Sequence, residues 1–142
     1  MPSRAALLRA FDANTNRARE GLRVCEDLVR FCLGSAAQFA QFRSLRRALD
    51  RQLARMPISA GELAKSRDSA RDPGRRVYGG SVRSVEHLVV MNVQRAKEAL
   101  RVLEETSRLL APKHVGGFQK LRYQAYDAER ALLLKLETLR HH

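Results

Sequence analysis

Apolar residues along this chain recur at steps of three and four rather than two, a pattern that predicts helices and no sheet. One stripe runs Leu8, Phe11, Thr15, Ala18, Leu22, Cys25, Val29, Cys32. Another runs Phe39, Phe42, Leu45, Leu49, Leu53, and a further one Phe118, Leu121, Ala125, Ala128, Leu132, Leu136, Leu139. Breakers fix the ends. Pro2-Ser3 opens a helix over 3–33 and Gly34 stops it. Ser35 caps a second helix that Met56-Pro57 ends, and Ser84 opens a third that Ala111-Pro112 closes. Gly116-Gly117 lead into a fourth helix that runs to the end. The one breaker-rich region is 57–83, where Ser59 and Glu62 form a short capping-box turn. The expected fold is all-α and a single domain over 1–142. It is an antiparallel four-helix bundle of two helical hairpins, 3–56 and 84–140, with a long irregular crossover at 57–83.

The chain repeats itself. Residues 14–27 align with 92–105 at an offset of 78, with eight identities: Asn14/Asn92, Arg17/Arg95, Ala18/Ala96, Glu20/Glu98, Leu22/Leu100, Arg23/Arg101, Val24/Val102 and Glu26/Glu104. A weaker echo sets Phe42, Leu45 and Arg46 against Phe118, Leu121 and Arg122. Packing alone keeps apolar character and lets polar identities drift, yet five of the eight matches are polar or charged. Something requires those groups twice.

Beside the core stripe of the first helix lies another: Ala10, Ala13/Asn14, Arg17, Gly21, Val24, Leu28, Phe31. Its counterpart is Leu88, Met91/Asn92, Arg95, Ala99, Val102, Thr106, Leu109. Each is small or apolar apart from an Asn one turn before a central Arg. An arginine among apolar neighbours needs a carboxylate or an anionic ligand, because desolvating its charge alone is expensive. Gly21 and Ala99 leave room over the stripe, and a pseudo-twofold bundle would bring both Asn/Arg sets towards one pocket. The alternatives are structural: pairing with Glu20 and Glu98 three residues on, or stems laid on the bundle with heads in water. The second stripe could equally be the seam of a homodimer. Arg23, Glu26 and Asp27 are phased towards solvent, while Arg46 and Arg122 fall near the seams.

The 142 residues, 44% hydrophobic and 30% charged, describe a folded domain and exclude disorder. Cys25 and Cys32 stand too far apart on one helix for a disulfide and read as apolar filling. His87 and His114 have no metal-binding pattern around them and read as surface or cap residues; His141 and His142 carry no weight. No signal segment and no membrane-length apolar run is expected, which points to a cytoplasmic protein. The net charge is +12, from 22 Arg and 5 Lys against 15 acidic residues. Such a balance attracts polyanions. The crossover concentrates Lys65, Arg67, Arg71, Arg75 and Arg76 with Asp68, Asp72, Gly74, Gly79 and Gly80. Arginine forks and glycine-freed amides suit phosphate oxygens, and Asp68 or Asp72 suits Mg²⁺; a solvated basic loop is the plainer alternative. No phosphate-binding glycine loop of the standard nucleotide folds occurs.

The segment Phe11-Asp12-Ala13-Asn14-Thr15-Asn16-Arg17-Ala18-Arg19-Glu20-Gly21-Leu22-Arg23-Val24-Cys25-Glu26-Asp27, with Arg30-Phe31, resembles the opening signature of the compact hydroxymethylpyrimidine phosphate kinases of bacterial thiamine biosynthesis. Residues 92–105 resemble that family's second signature, and Leu121-Arg122-Tyr123 with Tyr126 and Glu129 its third. The crossover departs: Arg67-Asp68-Ser69 and Asp72-Pro73-Gly74 stand where the family carries Arg-Asp-Thr and an Asp-Val-Gly-rich turn. The resemblance implies a domain often fused to thiamine phosphate synthase, and ATP-dependent phosphorylation of hydroxymethylpyrimidine phosphate to its diphosphate. Under it, Arg17 and Arg95 hold phosphate oxygens and Arg67 covers the transferring group. Asn14 and Asn92 read the pyrimidine, beside Gly21, and Asp68, Glu20 or Glu98 hold Mg²⁺. A phosphate acceptor needs no general base at neutral pH, so a site of arginines without a catalytic His or Cys is compatible with that chemistry. The rival readings are a basic helical module for nucleic acid or an acidic protein, and an enzyme for another small dianion. Low aromatic content, 6% with no Trp, speaks against nucleic acid.

Overall fold

Four serines start four helices in the way their positions predict. In the computed structural model, which describes residues 3–77 and 79–140, the helices are α1 (Arg4–Phe31), α2 (Ala36–Ala54), α3 (Ala60–Ser66), α4 (Val85–Leu110) and α5 (Val115–Arg140). Pro2, His141 and His142 lie outside the described residues. Ser3, Ser35, Ser59 and Ser84 each accept a hydrogen bond from the backbone N–H three residues on, at 3.2, 3.3, 3.1 and 3.1 Å. Each such cap contributes about 1 kcal/mol. Gly34 takes φ +61°, which lets Leu33 N–H reach Leu28 O and Ser35 N–H reach Val29 O as α1 stops. The described residues are all-α, without a strand.

Two boundaries differ from expectation. The capping-box turn extends into the seven-residue α3, so the described residues form five α-helices rather than four. Gly116 and Gly117 lie within the first turn of α5 instead of ahead of it. At Gly117 the end of the Gln52 side chain of α2 occupies the place a β-carbon would take, so a larger residue there would have to displace that amide.

Each long helix packs on two others: α1 on α4 and α2, and α5 on α4 and α2, with α1–α4 the most extensive pairing; α3 lies on α1. Paired residues fix the directions. Arg19–Asp50 and Glu26–Arg46 make α1 and α2 antiparallel, and Lys97–Glu129 and Glu104–Arg122 do the same for α4 and α5. At the α1–α4 seam Gly21 abuts Asn92 and Ala96, and Cys25 Sγ lies 3.7 Å from Val89 O, so these helices also run antiparallel.

The core holds Phe11, Phe42 and Phe118, all essentially inaccessible, with Phe11 and Phe118 edge to face at 6.0 Å. Burying one such side chain is worth about 2–3 kcal/mol. Cys25 is buried, and burial pushes its thiol up to about 12, so it is inert filling as expected. Cys32 is not filling: it is exposed where α1 ends, beyond the last core residue Val29. Asn14, Gly21, Asn92 and Ala99 of the second stripe are buried in the α1–α4 seam of this chain, while Ala13, Arg17, Phe31, Arg95 and Leu109 of the same stripe are exposed.

Glu26 also corrects its expectation. It is buried, and Arg46 of α2 donates to it through Nε (2.5 Å) and Nη2 (3.2 Å). Burial acts to raise the Glu26 carboxyl, but the hydrogen bond and charge of Arg46 outweigh it and hold the group below the usual carboxylate range. The equivalent pair recurs in the other hairpin, Arg122 Nε and Nη2 to Glu104 at 3.0 and 3.3 Å, with Tyr126 OH 3.0 Å from Arg122 Nη1. Among the described residues no helix is long and apolar enough to cross a membrane.

Candidate functional site

After α3 the chain passes over the outward face of α1. It is fastened there at one point: Arg67 Nε and Nη2 donate to Asp12 Oδ2 and Oδ1 at 2.6 and 3.0 Å. Asp12 is buried and Arg67 is exposed, and hydrogen bonding to Asp12 pushes the guanidinium pKa further up, so the fork is permanently charged. Between helix and crossover lies a groove of about 860 Å³. It is lined by Arg9, Ala10, Asp12, Ala13, Asn14, Asn16 and Arg17 of α1, and by Arg67, Asp68, Ser69, Arg71, Asp72 and Pro73. A 3-10 turn at Ser69–Arg71 and an Asp72 carboxylate accepting from Gly74 N–H (2.9 Å) shape the far wall.

The groove gathers Asn14, Arg17, Arg67 and Asp68 from the residues expected at a site. Arg17 is exposed, and so is Arg95. The expectation that both sit among apolar neighbours therefore fails: their stripe skirts the seam, and the heads emerge on its outer side. Neither is locked to its own glutamate. Among the described residues no carboxylate lies within 4 Å of Arg17 or Arg95; Glu98 instead accepts from Gln94 at 3.0 Å. A β-carbon on Gly79 would lie 3.1 Å from Arg95 Nη2, so the second half of the crossover reaches the Arg95 head.

Asn14 and Asn92 are held identically. Each is buried, and each Nδ2 donates to the carbonyl one turn back, Ala10 O at 2.8 Å and Leu88 O at 2.9 Å. The room expected above Gly21 is taken by the Asn92 carbonyl, 3.1 Å from where a β-carbon would stand, so Gly21 serves the helix crossing. Glu20 lines a separate, more open trough with Arg19, Arg23, Val24, Arg46 and Asp50. Asp68, Glu20 and Glu98 are thus not brought together, and among the described residues no three metal-ligating side chains cluster.

Sequence reasoning missed Arg9, Asp12 and Asn16. The repeat gave no signal for Asp12: it lies just ahead of the aligned stretch 14–27, and the residue 78 positions on is the apolar Val90. The ion pairs account for Glu26/Glu104 with Arg46/Arg122, and exposed pairing engages Arg23 with Asp27 and Arg101 with Glu105. Arg17 and Arg95 are left repeated with no structural partner.

The ThiD2 family matches residues 9–131. A thiamine-phosphate synthase of Synechocystis sp. is 37% identical over 134 residues, covering 92% of this chain and 37% of that protein. Those of Nostoc punctiforme (36% over 128 residues, 88% of this chain and 35% of that one) and Rhodopirellula baltica (32% over 136 residues, 94% and 36%) are similar in the same way. The chain spans little more than a third of the length of these curated relatives. No solved structure matches. With a family match covering most of its length, the chain belongs to the ThiD2 family.

Proposed function

We propose that this chain acts in thiamine biosynthesis, transferring the γ-phosphoryl group of ATP to hydroxymethylpyrimidine phosphate to give the diphosphate and ADP. The working unit is one four-helix bundle over 1–142, its two hairpins copies of one motif, acting in the cytoplasm. A thiamine phosphate synthase consumes the product. The observation that carries this reading is the pair Arg17 and Arg95, repeated, exposed and without a carboxylate partner among the described residues, the first of them beside an arginine-lined groove.

The acceptor phosphate, with a second pKa of about 6, already presents an anionic oxygen at neutral pH. The protein's part is to align two polyanions and neutralise their repulsion, which guanidinium forks do well. Asp12 occupies one edge of the Arg67 fork, leaving Nη1 to turn towards a phosphoryl oxygen. Mg²⁺ in such reactions is held largely by the nucleotide's own phosphates with one or two protein carboxylates, and Asp68 fits that small role. When bound, the ion would draw negative charge off the phosphates.

ADP release measured with Mg²⁺-ATP tests this. It is expected with the pyrimidine phosphate and not with the free pyrimidine. The net charge of +12 favours a second reading, a nucleic-acid-binding module. Salt-sensitive DNA binding without ADP release would select it.

A further inference from the structure

The register of α1 against α4 separates the two asparagines while keeping the two arginines level. Gly21 abuts Asn92, so Asn14, seven residues earlier, lies about 10 Å from Asn92 along the seam at 1.5 Å per residue. Because α4 runs the other way, Arg95 comes back to within about 3 Å of the level of Arg17. Both heads are exposed on the outer side of the seam, which the crossover spans from Asp12 on α1 to Arg95 on α4. Along this stretch of the seam the two amides flank the two guanidiniums.

Each amide is set the same way. Its bond to the carbonyl one turn back fixes the orientation; both residues are buried, and neither amide makes a second side-chain hydrogen bond among the described residues. An oxygen acceptor beside an N–H donor is the complement of an exocyclic amine beside a ring nitrogen. Adenine and the hydroxymethylpyrimidine both present that edge, and both carry phosphate.

We propose that the two hairpins read the two substrates separately: Asn14 recognises the adenine of the nucleotide, Asn92 recognises the aminopyrimidine of the acceptor, and the phosphates meet between Arg17 and Arg95. This rests on the kinase reading above. The ends are assigned by charge. Around Asn14 the groove mixes Arg9, Arg17 and Arg71 with Asp68 and Asp72, and a ligand that brings its own divalent cation uses both signs. A monophosphate needs only the cation that Arg95 supplies.

Equilibrium binding and steady-state kinetics on the full chain test the assignment. Asn14→Ala is expected to weaken binding of a non-hydrolysable Mg²⁺-ATP analogue, and to raise KM for ATP, by about tenfold or more while leaving KM for the pyrimidine phosphate within about twofold. Asn92→Ala is expected to do the reverse. Asn→Asp at each position, nearly identical in shape, covers the case in which alanine does not fold. A ligand-side control needs no variant: inosine triphosphate, with a carbonyl in place of the amine, is expected to bind the unaltered protein about tenfold or more weakly than ATP. If both asparagine variants affect the same substrate, or inosine triphosphate binds as well as ATP, the two-ended assignment is overturned although turnover persists. If the unaltered protein releases no ADP, the kinase reading itself fails.

Discussion

A guanidinium in water with no carboxylate in reach adds little to folding, since even exposed ion pairs contribute no more than about 1 kcal/mol. Arg17→Met and Arg95→Met are therefore expected to shift the melting temperature by no more than about 2 °C while ADP release falls by about 100-fold or more. Comparing melting with turnover checks this; a collapse in melting would return both residues to a structural role. Arg122 is the opposite case. It is buried against Glu104, so Arg122→Met leaves a buried carboxylate with only the more distant Arg101, and urea unfolding should show a loss of about 3 kcal/mol. Glu26 sets a pH dependence. Its folded pKa is lowered, so its contribution is fully present above the unfolded carboxyl's value of about 4.3 and is lost as pH falls through the lower folded value. Glu26→Gln is expected to lower stability at neutral pH and to flatten the acid side of the stability profile. The phase of Glu26 on α1 was misread as solvent-facing in the sequence, because a charged residue goes inside only with a partner, and Arg46 stands 20 residues away on another helix.

At the scale of elements, serine caps and the left-handed Gly34 have local causes, and the starts of α1, α2 and α4 and the first turn could be read from the sequence alone. The extension of Ser59–Glu62 into α3 depends on α1, against which α3 packs and where Arg4 meets Glu62 at 3.2 Å. The Asp12–Arg67 fastening spans 55 residues and leaves no periodic trace. Asp12→Asn removes the charge that holds the crossover. Hydrogen exchange in 67–77 is expected to accelerate by about tenfold or more while the amides of α1 and α4 keep their protection. Turnover should fall with it, because Asp68 and Arg71 reach the groove through that segment. Unchanged exchange would show that Asp12 is not the anchor.

Taken as a whole, the molecule carries +12 and keeps many of its arginines exposed. Long-range attraction of this kind is screened over about 8 Å at physiological ionic strength. Raising salt from 50 to 500 mM is thus expected to increase KM for the pyrimidine phosphate several-fold with a smaller change in kcat; a salt-independent KM would confine recognition to short-range contacts. The all-α class was visible in the spacing of apolar residues, and the adjacency of α1 and α4 in the duplicated Asn/Arg stripe. The groove was not, since it exists only where a non-repeating segment is laid across a repeating one. That asymmetry has a consequence. Two matching halves facing each other across a seam would present two interchangeable berths, and nothing in such a frame distinguishes giver from receiver. Asp12 has no acidic twin, because Val90 stands in its place, so the strap is tied down on one side only. A single carboxylate thereby turns a palindromic scaffold into one with a direction, which the proposed transfer between unlike molecules would use.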